Sequence, residues 1–219
     1  MTFDDLYSAT GYSFQDESLL RLALTHSSAG AGTNYERLEF LGDRVLGLVI
    51  ADLLYHRYPQ ESEGDLAKRH AALVQGRTLA QVGEALGLGD VLILSDGERA
   101  AGGHENENML ADGMEALIGA IYLDGGPEPC RKLIGHLWED RFDTMTQPPQ
   151  DPKTALQEWA QARGLALPVY ELADRTGPDH APVFTIRVTV EGAAPVEASG
   201  PSRRLAEKQA AAKLLERLS

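Results

Sequence analysis

Apolar residues recur at helical spacing over the first two thirds of the chain. The segments with this spacing are 2–8, 16–26, 36–57, 65–86, 106–124 and 128–143. Breaks that contain glycine or proline separate them, such as Gly87-Leu88-Gly89 and Gly125-Gly126-Pro127. Strand-like alternation is scarce here, because Val91-Leu92-Ile93-Leu94 is too short to build a sheet on. The pattern therefore predicts an all-helical (α) domain over residues 1–145.

The pattern of the last seventy or so residues is different. Residues 146–152 are rich in proline, which predicts an interdomain linker. An amphipathic helix is predicted from Lys153 to Arg163, and Ser202 is predicted to cap a final helix that ends at Leu218. Three segments of strand character lie between these helices: 169–172, 183–190 and 196–199. The order α-β-β-β-α predicts a small α+β domain over residues 153–219.

The predicted helix at 36–57 carries a row of acidic residues among apolar ones. Glu36, Glu39 and Asp43 stand at i, i+3 and i+7, so a helix places their carboxylates on one face. Almost all other positions from Leu38 to Tyr55 are apolar and are spread around the whole circumference, which predicts that this helix is buried on all sides. Burying several like charges is costly unless something cationic compensates them.

A second acidic pair occurs in the predicted helix at 106–124, where Asp112 and Glu115 stand at i and i+3. Two buried helices whose acidic faces meet would hold a divalent cation, and an all-oxygen site favours Mg²⁺, with Mn²⁺ as a substitute. Both helices also contain glycines that lower helix propensity, and we interpret these as residues that permit close helix packing: Gly42, Gly47, Gly113 and Gly119.

Charge is distributed unevenly between the two predicted domains. The net charge of −13 argues at first against a nucleic-acid partner, because phosphate binding needs lysine and arginine. Residues 1–145 hold 24 acidic and 11 basic residues, whereas residues 146–219 hold 9 of each. Five bases stand near the C-terminus: Arg203, Arg204, Lys208, Lys213 and Arg217. The positive charge is therefore concentrated in the final helix.

Other features of the composition indicate a cytoplasmic protein. The acidic start of the chain does not fit a secretory signal, and Asp52 interrupts the best candidate for a membrane span. A single cysteine, Cys130, cannot form an intramolecular disulfide and suits a reducing compartment. We interpret Cys130 as a small buried hydrophobic residue. No membrane and no organic cofactor are expected.

Four segments resemble the ribonuclease III family. Glu36 to Asp43, with the sequence ERLEFLGD, looks like the family signature, and Leu110 to Ala116 resembles its second acidic motif. Ala23 to Ser27 and Glu63 to Asp65 match in type and order. The C-terminal region resembles the double-stranded RNA-binding domain, most closely from Gly200 to Ala211. The resemblance covers nearly the whole chain.

The resemblance implies roles for individual residues. It implies that the catalytic and metal-binding residues are Glu39, Asp43, Asp112 and Glu115. Glu36 is the supporting acid beside them, Glu63 is expected near a symmetry axis, and His26 is expected to hold the fold together. The implied RNA-contact residues are Gln157, Glu158, His180, Ser202, Arg203, Arg204 and Lys208. Arg203, Arg204 and Lys208 also stand where the helix dipole favours phosphate.

The implied activity is hydrolysis of both strands of double-stranded RNA, with ribosomal and other transcripts as substrates. The products would carry 5′-phosphates, 3′-hydroxyls and short 3′ overhangs. Cutting two strands implies a two-fold homodimer, and we predict that Phe40 belongs to its interface. Activity is expected to fall at acid pH, because crowded carboxylates hold protons tightly.

Two features of the sequence depart from the pattern of the family. Many such RNA-binding domains have a basic residue where this chain has Glu207, and lysines where it has residues 181–183. Segment 97–108, which is often more basic in the family, keeps only Arg99, so weaker or more salt-sensitive duplex binding is expected.

Three alternative functions compete with this interpretation, and the first is a duplex-binding protein without catalysis. A di-iron helical protein needs Glu-x-x-His pairs, and a phosphohydrolase of another type needs a His-Asp dipeptide; neither occurs in this sequence.

Overall fold

The computed structural model describes residues 3–30, 32–178 and 180–218. Its chain divides into two compact units, Met1–Pro149 and Gln150–Ser219. The predicted helix start at Thr2 and the final residue Ser219 lie outside the described residues. The first unit is helical and the second combines helices with a sheet, so the predicted fold class is confirmed.

The first unit is built from α-helices of very different lengths. They are α1 Phe3–Thr10, α2 Glu17–Ala23, α3 Glu36–Arg57, α4 Glu63–Leu73, α5 Gly76–Ala85, α6 Leu88–Val91, α7 Asp96–Ala100, α8 Glu107–Gly125, α9 Pro127–Leu137 and α10 Glu139–Thr144. Ile93 makes only an isolated bridge with Thr25, as expected for so short an apolar run. Cys130 is fully buried, which confirms its interpretation as a core residue. Among the described helices, none is long and apolar enough to cross a membrane.

Two of the predicted helices are interrupted, so their prediction as continuous helices was wrong. The segment 65–86 breaks after Leu73 because Gln75 adopts an extended backbone, and α5 then begins at Gly76. The segment 128–143 breaks at Trp138, between α9 and α10. The two breaks meet, since the indole nitrogen of Trp138 donates to the Leu73 carbonyl at 2.9 Å. A buried tertiary hydrogen bond therefore replaces helical continuity at both places.

Helices α3 and α8 form the centre of this unit and approach each other through glycines. A β-carbon at Gly42 would overlap the carbonyl oxygen of Glu115, and one at Gly119 would overlap the carbonyl of Leu38. These contacts confirm that Gly42 and Gly119 permit close packing. Gly47 does not serve this purpose, because its β-carbon would meet the His70 ring at an ordinary 3.7 Å.

Helix α3 is buried on one side only, so the prediction of burial on all sides was wrong. Phe40, Leu48 and Tyr55 are 66%, 72% and 69% exposed and follow one another at spacings of eight and seven residues. This spacing places them on a single face of the helix. We call these three residues the exposed α3 stripe. Apolar periodicity alone could not show that one apolar face lacks a cover within the chain.

The second unit packs two helices on one face of a three-stranded antiparallel sheet. Its elements are α11 Pro152–Gln161, β1 Val169–Thr176, β2 Val183–Thr189, β3 Val196–Gly200 and α12 Arg203–Leu218. The inward residues of the sheet pack with those of the helices: Val188, Val196, Ala198, Leu156, Ala160, Ala210 and Leu214. On the opposite face, Arg187 pairs with Glu197 across β2 and β3 at 2.7 Å.

Candidate active site

Three carboxylates meet where α3 crosses α8. Glu39 from α3 and Asp112 and Glu115 from α8 each offer an oxygen atom, and these atoms lie within 4.8 Å of one another. All three residues are half-buried. The close glycine contacts of Gly42 and Gly119 bring the two helix backbones together and so bring the acids within reach of one ion. We call these three residues the carboxylate cluster.

The carboxylate cluster holds protons more tightly than ordinary carboxylates do. The pKa of Glu115 is raised from 4.5 to about 7, first by burial and then by the charges of Glu39 and Asp112, although Arg44 opposes the shift. The pKa of Glu39 is also raised, by burial and then by Asp112 and Glu36. Burial likewise raises the pKa of Asp112. A cation placed among these three groups would relieve their repulsion.

The cluster fits the hard divalent ion expected from the sequence. Its donors are carboxylate oxygens, which suit Mg²⁺ or Mn²⁺ better than ions that prefer nitrogen or sulfur. The positive charge near the cluster does not compensate the three carboxylates, since the pKa values of all three stay raised. Arg44 is the cation whose charge acts on Glu115, and that side chain is mostly exposed.

The other predicted acids lie outside the carboxylate cluster. Asp43 follows Glu39 by one turn of α3, but its carboxylate forms an ion pair with Arg44. Glu36 is exposed at the start of α3 and acts on Glu39 through its charge. Glu63 is exposed in the first turn of α4, beside a groove between α3 and α4. The structure thus joins three of the four predicted metal ligands in one cluster.

Tyr35 is a neighbour of the cluster that sequence reasoning missed. It is only 3% exposed, and its pKa is raised by burial and then by the charges of Asp112, Glu39 and Glu36. Its ring centre lies 5.6 Å from that of His26. A tyrosine directly before the acidic motif was the available signal, but nothing in its spacing pointed to this position.

His26 joins the segment after α2 to the one before α7. Its Nδ1 accepts from the Ser28 amide at 3.1 Å, and the Ser28 hydroxyl accepts from the Ser95 amide at 3.1 Å. Its positive charge, when present, acts to lower the pKa of Asp112. These contacts favour the predicted role in the fold. They also place the imidazole near the cluster.

The predicted RNA-contact residues of the second unit lie on α11, on or directly before α12, and in the loop after β1. Gln157 and Glu158 are exposed on α11, and His180 is exposed in the loop. The Ser202 hydroxyl accepts from the Leu205 amide at 3.2 Å and so caps α12, as predicted. Arg203 and Arg204 are exposed in the first turn of that helix, and Lys208 lies one turn further.

We expect the metal-free protein to become less stable as pH rises from about 4.5 to about 7. The pKa of Glu115 is about 7 in the folded chain and near 4.5 in the unfolded chain, so the folded state binds more protons in this window. The free energy of unfolding then falls with pH, by about 1–2 kcal/mol after allowance for partial exposure of the group.

Urea denaturation in chelator at pH 5 and pH 8 measures this effect. The Glu115→Gln variant serves as the control. Because its amide cannot ionise, its free energy of unfolding should decrease much less between pH 5 and pH 8. Added Mg²⁺ should restore stability at pH 8, since it replaces the protons. A wild-type protein with equal stability at both pH values, in chelator, would contradict the prediction.

Profiles of known families match both units. The profile described as ribonuclease-III-like matches residues 16–140, and the profile described as double-stranded RNA binding motif matches residues 152–218. Ribonuclease 3 from Caulobacter vibrioides is 51% identical over 218 residues, which cover 97% of this chain and 94% of that protein. Ribonuclease 3 from Anaplasma marginale is 46% identical over 217 residues, with 98% and 94% covered.

A solved structure is similar to the first unit. The nuclease domain of ribonuclease III from Campylobacter jejuni superposes with a TM-score of 0.63 at 42% identity, and covers 65% of this chain and 99% of that one. That nuclease domain is described as structurally flexible in a region involved in dimer formation. With matched profiles on both units and relatives along almost its whole length, the chain belongs to the ribonuclease III family.

Proposed function

We propose that this chain is a Mg²⁺-dependent endoribonuclease that cuts both strands of double-stranded RNA. Its products would be 5′-phosphate and 3′-hydroxyl ends with short 3′ overhangs, and its substrates would be ribosomal and other transcripts in the cytoplasm. The observation that carries the proposal is the carboxylate cluster on the two central helices. It occurs in a member of the ribonuclease III family that also has a double-stranded RNA binding motif.

Each acid in the first unit has a proposed part in holding the ion. Glu39, Asp112 and Glu115 would bind Mg²⁺ in their ionised forms, and Asp43 would join them as the fourth ligand once separated from Arg44. Glu36 would add negative charge at the edge of the site. Such an ion lowers the pKa of a water molecule and stabilises negative charge on the leaving oxygen.

The second unit would hold the duplex by its shape. A-form RNA exposes 2′-hydroxyls and phosphates, while its base edges lie in a deep, narrow groove. Arg203, Arg204 and Lys208 would bind phosphates at the N-terminal end of α12, where the helix dipole also favours anions. Gln157, Glu158, Ser202 and His180 would contribute polar contacts to the minor groove and the backbone.

The exposed α3 stripe supports the proposal of a homodimer. Phe40 borders a cavity of about 850 Å³ whose apolar lining includes Leu19, Leu22, Leu38, Leu41 and Leu123. Large apolar residues exposed along one helix are typical of a surface that another protein covers. A two-fold dimer would place two sites against one duplex, one for each strand. Two tethered RNA-binding units would also raise the effective affinity for that duplex.

We expect Phe40→Glu to convert the dimer into a monomer, because moving a carboxylate from water into a mainly apolar interface is costly. Dissociation should become at least about a hundredfold easier by sedimentation analysis. Leu167→Glu places the same charge on an exposed apolar residue of the second unit and should leave the assembly unchanged. A Phe40→Glu protein that still sediments as a dimer would exclude this interface.

Cleavage of a long, perfectly paired RNA tests the proposed function. The wild-type chain should cut it in Mg²⁺ and leave it intact in chelator. End labelling should then detect 5′-phosphates, and sequencing should show short 3′ overhangs. Binding of the duplex without cleavage at any Mg²⁺ or Mn²⁺ concentration would instead establish the alternative, a duplex-binding protein without catalysis.

A further inference from the structure

Two of the three basic side chains proposed to hold RNA phosphates are already paired with carboxylates of the second unit. The ammonium nitrogen of Lys208 lies 2.6 Å from Oδ2 of Asp151. Nε of Arg203 lies 3.2 Å from Oε1 of Glu207. Each of these carboxylates would compete with a phosphate for the same base, and the Asp151 pair has the shorter contact.

Asp151 is held in this position by a second set of contacts. Its Oδ1 accepts from the Lys153 amide at 3.0 Å and caps α11, while its Oδ2 faces Lys208. Burial acts to raise the pKa of Asp151, but the hydrogen bonds from Lys208 and from the backbone outweigh it, so the pKa is lowered. The carboxylate is therefore ionised at neutral pH, and its two oxygens contact different partners, the Lys153 amide and the Lys208 ammonium group.

A reciprocal ion pair lies beside the first one. Lys153 of α11 places its ammonium group 2.5 Å from Glu207 of α12. The N-terminal parts of α11 and α12 thus form ion pairs in both directions, Asp151 with Lys208 and Lys153 with Glu207. The consequence is that the base-rich start of α12 presents less free positive charge than its sequence indicates.

We propose that Asp151 is an internal competitor for RNA phosphate at Lys208 and so limits how tightly the chain holds a duplex. Carboxylate and phosphate oxygens bind an ammonium group by the same charge-assisted hydrogen bond. A duplex can therefore use Lys208 only after it displaces Asp151. This inference rests on the proposed duplex-binding role of the second unit, and it assigns to the residue before α11 a control over affinity.

Asp151→Asn tests the proposal, because asparagine caps a helix as well as aspartate does but carries no charge. Duplex binding by the full chain in chelator should tighten about two- to fivefold, the range expected for release of a partly exposed ion pair. The dependence of log K on log salt should steepen by about one, since Lys208 would now hold a counterion that RNA releases. Fluorescence anisotropy over a salt series gives both values, with intact duplex verified on gels.

Glu216→Gln is the matched control, because it removes one negative charge from an exposed position further along α12. It should change the salt slope little. The gain from Asp151→Asn should disappear in the double variant with Lys208→Met. The proposal is wrong if the wild-type chain binds duplex and Asp151→Asn changes neither the affinity nor the salt slope. It is also wrong if Asp151→Asn raises the affinity equally in the Lys208→Met background. A parent that binds no duplex at all would overturn the proposed function instead.

Discussion

Replacing Glu115 by glutamine is expected to reduce cleavage of double-stranded RNA by about a thousandfold. Glu115 belongs to the carboxylate cluster and has the most strongly raised pKa within it, which marks it as the acid whose charge most needs a cation. A divalent ion contributes several kcal/mol to stabilisation of the transition state, and each 1.36 kcal/mol corresponds to about tenfold in rate. Loss of one charged ligand should remove much of that contribution.

The design separates loss of the ion from loss of the fold or of RNA binding. Glutamine keeps the size of the side chain and removes only its charge. Glu107→Gln is the matched control, because it makes the same change in the first turn of the same helix at an exposed position. Single-turnover cleavage in Mg²⁺ should fall for Glu115→Gln alone, while duplex binding stays within about twofold for both. Cleavage by Glu115→Gln at a rate near that of the wild type would show that the ion is held elsewhere.

The sequence predicts the central part of this site for a simple geometric reason. A helix fixes which residues share a face, so the spacing of Asp112 and Glu115 places them side by side. It does not fix rotamers. Asp43 has the correct spacing to Glu39, yet its carboxylate contacts Arg44, the next residue along the chain. Which of two neighbouring partners a carboxylate contacts depends on local packing, and no periodic pattern contains that information.

Apolar spacing in the sequence also does not predict where a helix ends or what covers it. Apolar spacing continues from Leu73 through Gly76, but the helix is interrupted there. The Leu73 carbonyl, which no longer accepts within a helix, accepts from the indole nitrogen of Trp138. The predicted burial of α3 was wrong for a related reason. An apolar pattern shows which residues avoid water, but it cannot show whether their cover comes from the same chain. The exposed α3 stripe is the part of the pattern that this chain leaves uncovered.

Gly42→Ala is expected to destabilise the first unit by about 3 kcal/mol. The added methyl group would overlap the backbone carbonyl of Glu115, and neither backbone can move without separating α3 from α8. Overpacking of a tight core costs about 1–3 kcal/mol, and a backbone obstacle belongs at the upper end of that range. Separation of the helices should also weaken Mg²⁺ binding, because Glu39 and Glu115 stand on opposite sides of this contact.

Gly47→Ala in the same helix provides the comparison. Its methyl group would meet the His70 ring at 3.7 Å, an ordinary contact, and alanine favours the helix by about 0.5–1 kcal/mol. Urea denaturation in chelator should therefore give Gly42→Ala a free energy of unfolding well below that of the wild type. The value for Gly47→Ala should equal that of the wild type or exceed it slightly. Equal stability of the two variants would mean that the glycine contact does not set the distance between the helices. The carboxylate cluster would then depend on some other contact for its spacing.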